Sequence, residues 1–486
     1  MALLAMLEKQ KNKSSHGSSS SSSSSSFVVK KSRHTVKLDV VVPGSVLRTR
    51  FSVPANQVNA EWVNKCIVKK NGGFVDDSTT EVPMFSTFST SSGKTFYSFP
   101  PAFAMEHIGL PERDLRHRPE TMHGIEFKAE LRDMQREVVS FVGERLQTRR
   151  YACLSACCGF GKTVVGIYLA LKLQVPVLIV VHKEFLMKQW KENLLTFTTA
   201  TDADIGKIQG PIENTAGKRF VLATIQTLAL KKKRIETGIV IFDEAHHVAA
   251  ETWFKVTSIV DAQYRLGLSA TFKRADGLEE MIYATLGPVY CHVCRNSNRI
   301  ELRRVNTAFE ADVPMIKYLK KPNHSKLINM LAADDARNTL ILETLEDLIR
   351  EKRNILCITS RRRHVDFIVD ALGKDVAATF VGETTKKRKR IRDEENINKQ
   401  VIIATQSMAA EGLDLPDLDT IVLLLPVGKN SIEQCVGRIL RKQTQLHKVV
   451  VDFVDDKVDY LKILFYGRNR VMKKLGAVAA AVAAGK

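Results

Sequence analysis

Two short stretches carry residue types that could do chemistry together. The first is Ala156-Cys157-Cys158-Gly159-Phe160-Gly161-Lys162-Thr163, which follows a β-branched apolar run and opens a helical pattern. Small residues let successive backbone N–H groups wrap a phosphate, and the start of a helix adds its dipole. In such a loop Lys162 would reach the β- and γ-phosphates of a nucleotide, and the Thr163 hydroxyl would bind Mg²⁺. Ala156 stands where these loops usually begin with Gly. The second stretch is the apolar run 239–242, which ends in Asp243-Glu244-Ala245-His246. Near a phosphate loop, a strand tip with two carboxylates supplies a metal-side Asp243 and a general base, Glu244, that orients water. Alone it would read as a strand ending in a polar turn. Paired with the phosphate loop, it points to hydrolysis of ATP with Mg²⁺.

Such residues need a scaffold that brings strand ends side by side. From Phe127 onward, short apolar β-branched runs alternate with helical patterns. Five lie at 151–154, 177–181, 220–223, 239–242 and 265–268, and five more at 355–358, 377–381, 401–404, 420–424 and 449–453. Near-continuous apolar strands separated by helices imply parallel sheets covered on both faces. The expected class is therefore α/β with two tandem lobes, 126–305 and 306–465. An N-terminal accessory module of α+β character is expected over 27–125, with a hairpin whose strands are split at Pro43-Gly44 and further turns at Asn71-Gly72-Gly73 and Ser91-Ser92-Gly93. The serine run 18–26 cannot bury apolar surface, so 1–26 reads as a disordered tail. Residues 466–486, ending in an Ala-rich stretch, read as a C-terminal tail or frayed helix.

Composition narrows the class further. The chain has 486 residues, 44% hydrophobic and 26% charged, which excludes fibrous and wholly disordered proteins. Its net charge of +20 is spread over the N-terminal segment and both lobes. Distributed positive charge suits a polyanion, nucleic acid before an anionic membrane. No apolar run approaches the ~18 residues of a membrane helix. Eight cysteines are too few for a disulfide scaffold, and Cys291-His292-Val293-Cys294 lacks the second pair that a structural zinc site needs. The apolar N-terminus is short and has no basic lead-in, so secretion is not expected and a reducing intracellular compartment is.

The motifs together resemble superfamily 2 helicases. Asp243-Glu244-Ala245-His246 is followed by Leu268-Ser269-Ala270-Thr271 after the next strand. Residues 405–414, Thr405 to Asp414 with Gly412 between, resemble motif V. Gln434-Cys435-Val436-Gly437-Arg438-Ile439-Leu440-Arg441 resembles motif VI, the source of the arginine finger. Leu131-Arg132-Asp133-Met134-Gln135 looks like an adenine-reading Q motif. The resemblance spans about 127–455 and implies two RecA-like lobes sharing one ATP. It implies nucleotide contacts from Arg132, Gln135, the loop Ala156 to Thr163, Gly412 and Asp414, with Thr163 and Asp243 on Mg²⁺. Lys162, Glu244, Gln434, Arg438 and Arg441 would carry turnover. Nucleic-acid contacts would come from His182, Lys183, Thr224, Gln226, Thr359, Ser360, Arg361 and Thr405. Hydroxyl and amide groups of this kind hold phosphates without reading sequence.

Within the superfamily the wording resembles the branch that holds the xeroderma group B type helicases, phage recombination helicases and helicases of large DNA viruses. The compact length looks most like the viral members, including the poxvirus transcript-release type. That branch implies an ATP-driven helicase or translocase on DNA, moving 3′ to 5′, in transcription, repair or recombination. Transcription or replication machinery would be its partner, in the nucleus or in the cytoplasm or virion of a viral system. An RNA helicase is the alternative enzyme, and a nucleic-acid scaffold without hydrolysis is the alternative class. Lys162, Asp243, Glu244 and Arg441 argue against the scaffold. The sequence departs from the branch at Cys435, where relatives carry Arg, and at Ala275 in Arg274-Ala275-Asp276, where they carry Glu. The second departure favours translocation over robust unwinding. The basic runs 231–234 and 386–392 suit a solvated helix face or a duplex-touching patch, the second also a nuclear signal.

Overall fold

The computed structural model describes residues 27–31, 40–71, 79–157, 159–244, 246, 250–272, 274, 276–295, 300–316, 321–380, 399–406, 418–428, 432, 435–436 and 446–479. The serine tail, the basic run 386–392, Asn71's neighbours Gly72 and Gly73, and most of motifs V and VI lie outside them. The chain divides into two compact units, Met1–Cys294 and Arg295–Lys486. The division falls before the expected 305/306 boundary because strand Ile300–Asn306 pairs in register with Lys448–Val454 of the second unit. No helix among the described residues is long and apolar enough to cross a membrane.

The first unit is built on a nine-stranded sheet. Its order is Phe27–Lys31, Val289–Arg295, Tyr151–Ala156, Val260–Ser269, Ile235–Asp243, Val177–Val181, Phe220–Thr224, Ile205–Gln209 and Ile212–Asn214. All five apolar runs expected in this lobe are strands. The run at 265–268 is the end of a longer strand, Val260–Ser269, whose polar start hides it in the sequence. Asp261 there is fully buried because Arg48, Arg234 and the His117 N–H face it, with Arg48 Nε 3.2 Å away. Cys291 is a buried residue of strand Val289–Arg295.

The N-terminal module is not separate from this lobe. Its five-stranded sheet, ordered Ser86–Ser89, Thr95–Phe99, Phe51–Pro54, Val41–Leu47 and Leu110–Asp114, shares one hydrophobic core with the lobe. Phe51, Phe99 and Phe103 belong to the same buried cluster as Trp253, Phe272 and Met281. Helix Pro101–His107 packs against helix Glu279–Leu286. Buried Glu106 accepts from the Arg145 guanidinium and, at 2.9 Å, from the Tyr151 hydroxyl. Strand Phe27–Lys31, expected in the module, joins the lobe's sheet instead.

The Pro43-Gly44 hairpin is also corrected. Pro43 and Gly44 sit inside one strand, Val41–Leu47, as an irregularity against its parallel partner Leu110–Asp114. The Ser45 hydroxyl bridges it, donating to the Val42 carbonyl (2.6 Å) and accepting from the Glu112 N–H (3.1 Å). Gly44 has φ +70, which a residue with Cβ adopts at a cost. The reversal comes later, at Arg48–Arg50, where the Arg48 N–H donates to the Arg50 carbonyl. The Ser91-Ser92-Gly93 turn forms as expected, between Ser86–Ser89 and Thr95–Phe99.

The second unit holds a seven-stranded sheet whose pairings are all parallel. Its order is Ala377–Phe380, Val401–Thr405, Ile355–Thr359, Thr420–Leu423, Lys448–Val454, Ile300–Asn306 and Ala477–Ala479. The expected C-terminal tail begins inside helix Asp459–Lys474, and the alanines supply the edge strand. The helix is held by a buried Arg468–Asp452 pair at 3.0 Å. A second buried pair joins Arg337 to Asp455 at 2.8 Å, and both side chains are 1% exposed. Arg337 also donates to the Leu424 carbonyl, and the Thr307 hydroxyl to Asp455. Removing one partner of such a pair strands a buried charge, so Asp455→Ala should cost about 3–5 kcal/mol. Denaturant unfolding of the full chain checks this, with the surface change Asp347→Ala expected to stay within about 0.5 kcal/mol.

Candidate active site

Parallel register places the chemistry at one edge of the first unit's sheet. Asp243 pairs with Leu268, and Leu268 with Leu154, so three strands end in the same row. One residue further on stand Glu244, Ser269 and Ser155. The carboxyl ends of adjacent parallel strands form the crevice in which open α/β sheets bind ligands.

The candidate phosphate loop lies here, between strand Tyr151–Ala156 and helix Lys162–Leu173. Ala156 ends its strand and is buried, and Cys157 donates its N–H to the Val293 carbonyl. Gly159 and Gly161 have φ +80 and +94, so both glycines are used for the left-handed turn. Helix Lys162–Leu173 starts immediately afterwards. Arg132 and Gln135 close over the loop, and both side chains donate to the Phe160 carbonyl, Gln135 at 2.8 Å. A Cβ on Gly161 would lie 2.6 Å from Gln135 Nε2, so this closure also requires the glycine. Cys158 lies outside the described residues.

Glu244 is bent back toward Lys162. Its φ is +51, a left-handed conformation costing about 1–2 kcal/mol for a residue with Cβ. Its N–H donates to the Leu268 carbonyl at 2.9 Å, which holds the bend. The carboxylate lies 3.7 Å from Lys162 Nζ and accepts from the Ser269 hydroxyl at 2.8 Å. Ser269 also meets His246 Nδ1 at 2.9 Å, so Asp243-Glu244-Ala245-His246 and Leu268-Ser269-Ala270-Thr271 form one network. Lys162 Nζ also donates to the Ala156 carbonyl at 3.1 Å. Arg274 grips Asp276 through two bonds of 2.8 and 2.7 Å and donates to the His246 carbonyl.

Asp243 is half-buried beside Glu244, and desolvation first, then the neighbouring carboxylate, push its carboxyl up to about 7. The Trp190 indole N–H, which donates to it at 2.8 Å, and the Lys162 charge act in the opposite direction. Next to a second carboxylate, the Asp243 side chain offers oxygen of the kind that hard cations take. Sequence reading missed Trp190, which shares the buried side of its helix with Leu186, Met187 and Leu194.

The candidate strand-contact residues lie at other loop ends. His182 and Lys183 follow strand Val177–Val181, and the His182 carbonyl accepts from Gln226 Nε2 at 3.0 Å. Thr224 caps helix Ile225–Ala229. In the second unit Thr359 is turned inward, where its hydroxyl meets His364 Nδ1 at 3.2 Å and the Arg361 N–H at 3.3 Å. Ser360 is half-buried, and Arg361 is anchored on the Ser325 carbonyl. Thr405 ends strand Val401–Thr405. Gly412, Asp414, Gln434, Arg438 and Arg441 lie outside the described residues.

Two family models match the chain, a type III restriction enzyme res subunit over residues 128–274 and a helicase conserved C-terminal domain over 340–443. A protein of Acanthamoeba polyphaga mimivirus named as an ATP-dependent RNA helicase is 30% identical over 393 residues, 78% of this chain and 75% of that one. The protein named DNA 3′-5′ helicase XPB from Kineococcus radiotolerans is 26% identical over 303 residues, 58% of this chain and 53% of that one. The transcript termination protein of vaccinia virus (strain Ankara) is 24% identical over 368 residues, 68% of this chain and 71% of that one.

Proposed function

We propose, from the premise that this chain belongs to the superfamily 2 helicases and is an ATP-dependent nucleic-acid motor, that its track is duplex or forked DNA. We further place it with the helicases of large DNA viruses, of the transcript-release type. The observation that carries the motor reading is the row of strand ends that puts Lys162, Asp243, Glu244 and Ser269 at one edge of the sheet. In this reading the phosphate loop and Lys162 hold the nucleotide, and Arg132 and Gln135 face its base. Glu244 orients water, and Thr163 and Asp243 hold Mg²⁺. When bound, that ion neutralises charge on the β- and γ-phosphates. Arg438 and Arg441, from the second unit, meet γ-phosphate charge when the lobes close on ATP. His182, Lys183, Thr224, Gln226, Ser360, Arg361 and Thr405 hold the strand, with Thr359 shaping its loop.

DNA is favoured by the Gly267-Leu268-Ser269-Ala270-Thr271 and Gly437-Arg438-Ile439-Leu440-Arg441 wording and by the name of the Kineococcus relative. The name of the mimivirus relative favours RNA. ATP turnover should therefore rise most with duplex or forked DNA and least with RNA, at one ionic strength. Because the +20 charge is spread over the chain, the DNA affinity should fall steeply as salt rises and change little with DNA sequence. Greater stimulation by RNA would transfer the assignment to the RNA reading, and a salt-insensitive, sequence-selective affinity would overturn both.

A further inference from the structure

Trp190 connects two regions that the sequence keeps apart. It lies on helix Glu184–Phe197, which begins directly after His182-Lys183. Its ring is 1% exposed, and its indole N–H donates to Asp243 Oδ2 at 2.8 Å. The preceding helix makes room for it. A Cβ on Gly166 of helix Lys162–Leu173 would sit 3.4 Å from the Trp190 ring and 2.9 Å from Leu268. The ring is therefore wedged between the helix that leaves the phosphate loop and the strand tip that carries Asp243. Just before that helix begins, the His182 carbonyl is tied to Gln226.

A plain core residue would need none of this polarity, since Phe or Leu would fill the same stripe. Donation to one carboxylate oxygen fixes the rotation of the Asp243 side chain and leaves the other oxygen for a cation. Partners of this kind orient metal-binding groups, and their loss typically costs about 10–100-fold in metal affinity. We propose that Trp190 is a positioning residue that sets the Asp243 carboxylate for Mg²⁺ and links it to the strand-contact loops at His182 and Gln226. The proposal rests on the motor reading above and extends it to how nucleic-acid engagement reaches the metal side of the nucleotide site.

The test is Trp190→Phe in the full chain, which keeps the aromatic wedge and removes only the N–H. Half-saturating Mg²⁺ for ATP hydrolysis should rise about 10-fold or more. Turnover at high Mg²⁺ should largely recover, while its stimulation by duplex DNA should shrink. A residue that only packs would lower the unfolding midpoint and leave the Mg²⁺ requirement where it was. A second measurement needs no hydrolysis. The chain has three tryptophans, so ¹⁵N-indole labelling gives three N–H resonances. That of Trp190 is the one missing in the Phe variant. If that variant does not fold, Trp62→Phe and Trp253→Phe identify it by elimination. It should move when Mg²⁺ and ADP are added, and again when duplex DNA is added without nucleotide. An indole resonance indifferent to Mg²⁺ with ADP, or an unchanged Mg²⁺ requirement in the variant, would overturn the proposal. A parent chain that neither hydrolyses ATP nor binds nucleic acid would end the motor reading separately, and the indole response to Mg²⁺ with ADP would still decide the role of Trp190.

Discussion

Glu244→Gln should stop turnover while leaving nucleotide binding in place. The amide is nearly the same size, and its oxygen can still accept from the Ser269 hydroxyl, which now meets the carboxylate at 2.8 Å. The bend at φ +51 is held by the backbone bond to Leu268 and does not depend on charge. What disappears is the carboxylate proposed to take a proton from water. Removing a positioned general base costs about 10²–10⁴-fold in rate. A fluorescent ATP analogue should therefore bind the variant with near-parental affinity, while phosphate release falls into that range. Parental turnover in the Gln variant would remove Glu244 from the mechanism. Loss of analogue binding would instead mean that the carboxylate supports the phosphate loop through Lys162, 3.7 Å away.

The second large effect is expected at Arg441. Its proposed partner is charge on the γ-phosphate, which grows toward the transition state, and a group matched to that state raises turnover more than binding. Arginine fingers are worth about 10³–10⁵-fold in rate. Arg441→Ala should accordingly lower ATP turnover at saturating DNA by about 10³-fold and leave nucleotide-free DNA affinity nearly unchanged. If Arg441 were one more cation on a basic surface, the pattern would invert, with slightly weaker DNA binding and intact turnover at saturation. Measuring the two quantities on one preparation separates these cases. Lys232→Ala, in the exposed basic run after helix Ile225–Ala229, provides the surface control.

The sequence shows the candidate phosphate loop and the carboxylate strand clearly because the chemistry proposed for them fixes local spacing. Gly159, Gly161, Lys162 and Thr163 must be near neighbours to surround one phosphate chain. Asp243 and Glu244 must close a strand. Trp190 was hidden because its partner is 53 residues away, and on its own helix it fits the apolar stripe with Leu186, Met187 and Leu194. Pro43-Gly44 was misread because the parallel partner of its strand, Leu110–Asp114, is remote in sequence, with Ser45 and Glu112 67 residues apart. Asp261 lay outside the expected strand 265–268, and the charges that compensate it, Arg48 and Arg234, come from other parts of the chain. Ala477–Ala479 carries the composition of a frayed end, and only a neighbouring open edge at Ile300–Leu302 makes it a strand. Local chemistry was thus legible and long-range compensation was not.

The core shared by the N-terminal module and the first lobe also bears on the order in which the chain is made. Phe51, Phe99 and Phe103 leave the ribosome first, but Trp253, Phe272 and Met281 of the same cluster follow roughly 150 residues or more later. At the usual ~5–20 residues per second of synthesis, those aromatic side chains wait on the order of 10 s or longer for the surface that covers them. During that interval the module's sheet has one apolar face and no partner. Nascent chains of this protein therefore present a sticky intermediate, and chaperone engagement while synthesis passes residues 100–280 should govern how much of it reaches the native state.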